Sequence, residues 1–212
     1  MTSSNLTQML LGSLLDSPAV VEMASQVGGK AVSIVSEHFT FTAFEISSAY
    51  QDSYGYALAA IRLGVVAPAP SLVQKVRYSK ITREFAQQIE RQYLQPFVQQ
   101  QGVEDLAVFR EQVSEALLLF SKHKDGLLEI QEISEEDLAA LISYQQTLAM
   151  TDLLLEQMSA IEQVDERLAA FLRYEGLLGN AVLFFFRELL RKDPRLAATQ
   201  TALQQAKLCI EV

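Results

Sequence analysis

The chain has 212 residues, of which half are hydrophobic and a fifth are charged, and its formal net charge is −9. A chain of this length and composition buries a substantial core and does not have the composition of a disordered protein. The acidic balance opposes nucleic-acid binding, because phosphate contacts need clustered Lys and Arg. The single cysteine, Cys209, cannot form an internal disulfide, so the fold does not depend on an oxidising compartment.

The N-terminal residues 1–18 lack the basic leader of a secretory signal and carry Asp16 where a cleavage site needs small neutral residues. We therefore expect a cytoplasmic protein. The same residues could instead form an amphipathic helix on a membrane surface, but no Lys or Arg precedes Lys30 to favour anionic lipid. A packing helix is the favoured interpretation, and peripheral membrane contact is not expected.

Residues 24–31 resemble a phosphate-binding loop, in which glycine amides and a lysine hold phosphates. Lys30 follows two glycines, but alanine stands in place of the first glycine of that motif and Ala31 in place of its Ser or Thr. We interpret the segment as a helix break without nucleotide binding. Residues 31–41 and 65–66 are the only β-rich patches, and we predict no strand.

The first well-marked helix is predicted over residues 43–63. Thr42 and Glu45 form a capping box, in which the hydroxyl accepts from a backbone N–H one turn later and the acid reaches back. Gly64 is the expected C-terminal stop, and the alternating Ala-Pro residues 67–70 form a stiff connector. We treat residues 1–212 as a single helical domain, with 64–71 as the place where it would divide.

The next helix is predicted over residues 72–100. Ser71 and Gln74 form a second capping box at its start. Pro96 must kink or end this helix, because the proline ring replaces an amide donor.

After Gly102, apolar residues recur at steps of three and four, which is the spacing of one buried face of a helix. The residues on this predicted face are Leu106, Phe109, Val113, Leu117 and Phe120.

Residues 121–132 resemble a calcium-binding EF-hand loop, with Gly126 at the sixth place and an acid at the twelfth. The candidate ligands are Asp125, Glu129 and Glu132. Ser121 and His123, however, occupy places where a hard cation prefers carboxylate oxygen, and lysines lie beside both. We favour a helical corner at Asp-Gly and expect no bound metal and no cofactor.

A long helix follows residues 134–137, where a serine and three acids form a helix start. Its apolar residues form a seam close to a heptad, as in antiparallel bundle packing: Leu138, Leu141, Tyr144, Leu148, Leu155 and Met158.

Asp165 is predicted to open one continuous helix that ends before Asp193 and Pro194. Its residues 176–192 are the most apolar stretch of the chain, yet shorter than the ~20 apolar residues of a membrane span, so we expect a buried helix. The predicted core residues are Leu168, Phe171, Leu172, Leu178, Val182, Phe185, Phe186 and Leu189. Phe184 lies off this face, so either the helix is buried all round or Phe184 marks a partner-binding surface.

The remaining candidates for chemistry have ordinary interpretations. The two histidines, His38 and His123, are far apart in sequence and are expected at the surface. Tyr50 and Tyr54 share a helix face, which packing explains, although with Tyr56 they could also line a ligand pocket. We predict no catalytic residues, because no nucleophile, base and oxyanion donor occur at recognisable spacing.

The fold expected is all-α, a bundle of about six to eight mostly antiparallel helices with short loops. Phe44 to Leu58 and Leu177 to Arg195 are similar to the helical N-terminal segment that precedes NACHT-type signalling ATPases, chiefly cyanobacterial ones. That resemblance implies a sensor or effector-associated module, with the ATPase beyond Val212 and the tail 195–212 leading toward it.

Two hypotheses therefore stand on the sequence. The first is a non-enzymatic helical interaction module that binds its own kind or a partner helix, with Phe184, Tyr50 and Tyr54 as candidate contact residues. The second is a helical enzyme or ligand binder with a pocket between helices. Calcium binding at residues 121–132 is a further alternative. The sequence favours the first.

Overall fold

A computed structural model describes residues 12–14, 29–66, 80–123, 133 and 148–208. Within these ranges the backbone consists of helices and the short segments that join them, and no strand is present. The all-α, multi-helix prediction is confirmed. The helices are α1 (Gly29–His38), α2 (Ala43–Val65), α3 (Lys80–Gln88), α4 (Gln95–Gln101), α5 (Leu106–Ser121), α6 (Leu148–Ile161), α7 (Glu166–Arg173), α8 (Leu177–Leu190) and α9 (Pro194–Leu208).

Helix α2 is the central element of the described structure, and it packs against α8, α5 and α3. The predicted capping box is confirmed: the Glu45 N–H donates to Thr42 Oγ1 at 3.2 Å, and the Thr42 N–H donates to Glu45 Oε2 at 2.8 Å. Small and large buried residues alternate along the helix, which allows neighbours to approach on several sides: Ile46, Ser47, Ala49, Tyr50, Ser53, Tyr54, Ala57, Leu58, Ala60, Ile61, Gly64 and Val65.

Gly64 does not stop α2, so that prediction is wrong. The helix continues to Val65, and Gly64 is buried inside its last turn. A Cβ atom on Gly64 would lie 2.6 Å from the Ala86 carbonyl oxygen and 2.7 Å from Ile89 Cβ. Glycine is needed here for the close approach of α2 to α3, and tertiary packing rather than helix termination explains it.

Helices α3 and α4 form one continuous rod, joined by a π-helical turn at Ile89–Leu94. The Gln95 N–H donates to the Glu90 carbonyl, one residue further back than in an α-helix. Pro96 follows at once, and it accounts for the wider turn because it lacks an N–H and its ring crowds the preceding turn. The helix does not end at Pro96, which was one of the two predicted outcomes, and a π turn directly before the proline accommodates it. The rod ends at Gly102, whose φ is 61°.

A partly buried polar network connects this turn to its neighbours. The Arg110 guanidinium of α5 donates to Glu90 Oε1 at 2.7 Å and also to the Val65 carbonyl at the end of α2. Gln95 Nε2 donates to the same Glu90 oxygen at 2.7 Å. Arg110 therefore links α5, the π turn and the free carbonyl end of α2.

Helix α5 has the predicted inward face. Phe109, Val113, Leu117 and Phe120 are buried, and Leu106 is half-buried. Asp105 caps the helix by accepting from the N–H groups of Ala107 and Val108, at 2.9 and 3.0 Å.

The predicted continuous helix from Asp165 is interrupted. Asp165 does cap its start, but α7 ends at Arg173 and the 3-10 turn Tyr174–Gly176 separates it from α8. Glu175 and Gly176 have φ of 49° and 66°, outside right-handed helical geometry. The single-helix prediction is therefore wrong at this turn.

Thr151 of α6 explains where α8 then begins. The Gly179 N–H donates to Thr151 Oγ1 at 2.9 Å, so a buried side chain satisfies an N-terminal amide of α8. A Cβ on Gly179 would lie 2.8 Å from that oxygen, so the two helices pack closely.

One stretch of the described residues, Glu166–Leu190, is long and apolar enough to span a membrane, because it contains an 18-residue window with a mean hydropathy of 1.3. Within the protein 61% of this window is buried, and a core helix of a folded domain has the same property. Leu178, Val182, Phe185 and Phe186 are buried, as predicted.

Leu189 is 40% exposed, which overturns its prediction as a core residue. It lies in the last turn of α8, where Leu190 rather than Leu189 is buried.

Ion pairs of Arg195 stabilise the junction between α8 and α9 and its contact with the start of α2. Asp193, predicted only as a helix end, accepts from the Arg195 N–H at 2.9 Å and so caps α9. The Arg195 guanidinium pairs with Asp193 and with Glu45, at 2.9 Å each, and lies 4.2 Å from the centre of the Phe41 ring. These contacts lower the pKa of Asp193 and hold that of Glu45 at about 2, with the Arg195 hydrogen bond as the largest cause for each.

Several predictions fall partly or wholly outside the described residues. These are the second capping box at Ser71, the helical pattern 134–147 and Cys209. Of the phosphate-loop-like segment, the last residues 29–31 lie in α1.

Candidate functional site

The predicted contact residues Tyr50 and Tyr54 are fully buried on α2, so they do not form a contact surface. The Tyr50 hydroxyl donates to Gln157 Oε1 of α6 at 2.7 Å. Among the described residues the Tyr54 hydroxyl has no hydrogen-bond partner. Burial raises the pKa of both phenols, and the nearby Tyr54 adds to the rise at Tyr50. Their role is core packing, as the simpler interpretation of their spacing predicted.

Phe184, the other predicted contact residue, is half-buried on α8. Its ring stacks on Phe85 of α3, with centres 4.9 Å apart, and meets Phe185 edge to face at 5.2 Å. The protein therefore covers part of Phe184 with α3. The helix is not buried all round, because its residues Asn180 and Leu189 are exposed, and the alternative that Phe184 marks a partner-binding surface stays a prediction.

These rings belong to a larger apolar surface at the junction of α2, α3 and α8. Tyr56 of α2 is 46% exposed, and its ring centre lies 6.0 Å from that of Phe185. Leu189 lies one turn beyond Phe185 on the same side of α8. We call this surface the aromatic patch, and its members are Tyr56, Phe85, Phe184, Phe185 and Leu189.

A shallow cleft of about 360 Å³ runs along the patch between α3 and α8, with Phe85 and Phe184 in its wall. Its polar lining carries both signs of charge: Glu84, Gln88, Glu188 and Arg191. Arg191 pairs with Glu188 at 3.1 Å and is largely exposed. The patch thus has the anatomy of a contact surface, with aromatic residues inside a polar rim.

The sequence could have indicated Phe85 as an apolar surface residue, but not that it packs against Phe184. In α3, Phe85 and Ile81 are one turn apart in an otherwise polar segment, which indicates a narrow apolar face. The pairing of that face with α8 is not readable from the sequence, because the two helices are about a hundred residues apart.

The calcium-site candidates Asp125, Glu129 and Glu132 lie outside the described residues, so this alternative stays a prediction. Across the part of the chain that the structure describes, no three His, Cys, Asp or Glu side chains are grouped as metal ligands. His123 is exposed and His38 is half-buried.

The chain was also compared with known proteins. No protein-family model, curated protein or solved structure matches it.

Proposed function

We propose that this protein is a non-enzymatic helical interaction module that associates with protein through the aromatic patch. The observation that carries the proposal is the clustering of Tyr56, Phe85 and Phe184 around the buried Phe185, where three helices meet, with the exposed Leu189 one turn beyond Phe185. Aromatic side chains supply large contact area at low entropic cost, and they are enriched in protein interfaces.

The proposed partner is a second copy of the chain. A symmetric contact places the same surface on both sides, so the surface must complement itself. The rim meets this requirement because Arg191 carries positive charge beside the acids Glu84 and Glu188. In a two-fold arrangement, Arg191 of one copy can face the acids of the other while the apolar residues meet at the centre.

The resemblance to the segment that precedes NACHT-type ATPases supports a signalling role. In that setting the module is a cytoplasmic, sensor or effector-associated part of a larger signalling protein, and self-association brings attached domains together. Effective concentration rises when domains are tethered, so a weak contact is sufficient for such a role.

The ligand-binding alternative has less support. Tyr50 and Tyr54, around which a pocket was expected, pack in the core, and the clefts found among the described residues are open and lie elsewhere. We expect neither ATP nor calcium to raise the melting temperature. A calcium-dependent rise would favour the EF-hand alternative instead.

Leu189→Glu tests the proposal, because Leu189 is exposed and the change places a charge in the patch without opening the core. The matched control is Phe44→Glu, since Phe44 is 79% exposed at the start of α2 and lies outside the patch. We expect sedimentation velocity to show concentration-dependent association for wild type and Phe44→Glu, and monomer for Leu189→Glu.

A photoreactive phenylalanine analogue at position 56 gives an independent readout of the same contact. We expect it to crosslink two copies of the purified chain, and Leu189→Glu to abolish the product. A wild-type chain that stays monomeric and forms no crosslink would refute the proposal, as would association that Leu189→Glu leaves unchanged.

A further inference from the structure

The geometry points to a second binding site, a groove between α4, α5 and α7 that takes a cationic peptide segment of a partner protein. Two adjoining clefts form it, of about 570 and 350 Å³, and both are lined by Phe109, Gln112 and Arg167. The groove shares no lining residue with the aromatic patch and does not rest on the proposed self-association.

The floor of the groove is aromatic and firmly held. The Phe97 ring lies 5.8 Å from that of Phe109, and both pack edge to face against Phe171 of α7, at 5.2 and 5.7 Å. Val108 stands at the edge, 46% exposed. Phe97 and Phe109 are each only 3% exposed, so the rings form a rigid base and Val108 is the apolar side chain that an occupant can contact.

The wall of the groove is acidic. Glu104, Asp105, Asp165 and Glu166 line it, against Arg167 as the single basic residue in the lining of the two clefts. Asp105 and Asp165 already cap α5 and α7 through their backbone amides. Glu104 and Glu166, by contrast, are exposed and form no ion pair with any residue that the structure describes.

This charge pattern selects the occupant. Glu104 and Glu166, which have no ion-pair partner among the described residues, lie near the exposed Val108 and complement a segment in which Lys or Arg flank an aliphatic residue. The groove is long and open, so it covers one side of an extended chain, whereas a small-molecule pocket encloses most of its ligand. An acidic wall also repels phosphate, which opposes a nucleic-acid occupant.

The probe is a fluorescein-labelled peptide of alternating Lys and Leu, and the control probe has Glu in place of every Lys. Fluorescence anisotropy with the full chain at low ionic strength gives the affinity. We expect the Lys peptide to bind and the Glu peptide not to bind, and added salt to weaken binding because exposed charges are screened.

Three variants locate the site. Glu104→Gln is expected to weaken binding about twofold to fivefold, since an exposed ion pair contributes little. Arg167→Gln is expected to tighten binding about twofold, because it removes the one repulsive charge. Glu37→Gln, an exposed acid on α1 outside the groove, is the matched control and should leave the affinity unchanged.

Circular dichroism of each variant establishes that the fold is kept. Absence of binding by the Lys peptide, equal binding of both peptides, or an equal effect of the Glu37 and Glu104 variants would overturn the inference. Loss of self-association in the Leu189 variant with peptide binding intact would show that the two sites are independent.

Discussion

Tyr50 and Tyr54 offer a matched pair of substitutions, because each loses only a hydroxyl when changed to Phe. Both side chains are fully buried on adjacent turns of α2, but their hydroxyl groups differ. That of Tyr50 donates to Gln157 at 2.7 Å, whereas that of Tyr54 has no partner among the described residues. A buried polar group without a hydrogen bond costs about 1–3 kcal/mol.

Tyr50→Phe should lower the free energy of unfolding by about 1 kcal/mol, the net contribution of a typical hydrogen bond. The loss is limited because Gln157 is only half-buried and its oxygen can bond to water instead. Tyr54→Phe removes an unpaired hydroxyl, so its effect should range from neutral to a gain of about 1 kcal/mol. The free energies of unfolding of the two variants should then differ by roughly 1–2 kcal/mol, or about 2–8 °C in melting temperature for a chain of this size.

Urea denaturation followed by circular dichroism measures the free energies, and calorimetry measures the melting temperatures. The slope of the free energy of unfolding against urea concentration should be the same in wild type and both variants, because the surface exposed on unfolding hardly changes. A loss of stability in Tyr54→Phe as large as that in Tyr50→Phe would refute the reasoning, since it would mean that the Tyr54 hydroxyl has a stabilising partner.

Two further predictions concern packing and pH. Gly64→Ala should destabilise the protein by about 2 kcal/mol, because overpacking against the Ala86 backbone outweighs the gain in helix propensity. Urea denaturation measures this loss. The control is Gly102→Asn, which is expected to be near neutral because Gly102 lies in open space at positive φ. Acid should weaken the α2–α9 junction: the folded-state pKa of Glu45 is held at about 2, below its ordinary value of 4.5, so its stabilisation is present above about pH 4.5 and is lost as pH falls toward 2. Glu45→Gln should flatten that part of the pH–stability curve, and an unchanged slope would show that the Arg195 contact contributes nothing.

Features decided within one or two turns of the chain could be predicted from the sequence. The capping box at Thr42, the cap at Asp165 and the buried face of α5 are all confirmed. In each of these the interacting groups are two to four residues apart, so local spacing contains the needed information.

Features that depend on a distant helix could not be predicted in the same way. The residues next to Gly64 in sequence predict that it ends α2. Only the close approach of Ala86 and Ile89 explains why it lies inside the helix. The start of α8 likewise depends on Thr151, which lies 28 residues before Gly179. Leu189 is exposed although it has the spacing of a core residue, because spacing within α8 does not say which neighbours cover each position.

Sequence spacing alone predicts only part of the candidate site. It places Phe184 off the main apolar face of α8, and the ring of Phe184 packs against Phe85 in the aromatic patch. It also places Tyr50 and Tyr54 on one face of α2, and both of these side chains are core residues. Spacing alone identifies which side chains share a face, whereas the neighbouring helices decide whether that face meets protein or water.

The π turn at Ile89–Leu94 lets the two halves of one rod pack against different helices within the same core. Ala86 and Ile89, before and at the start of the turn, face α2, whereas Phe97 after it packs against Phe109 of α5 and Phe171 of α7. Buried positions step by five residues across the turn, from Ile89 to Leu94, where an α-helix would step by three or four. The extra residue acts as a phase shift of roughly 100° between the two halves. The rotation of α4 relative to α3 about the rod axis, and with it the direction in which the Phe97 side chain points, therefore depends on this one π turn.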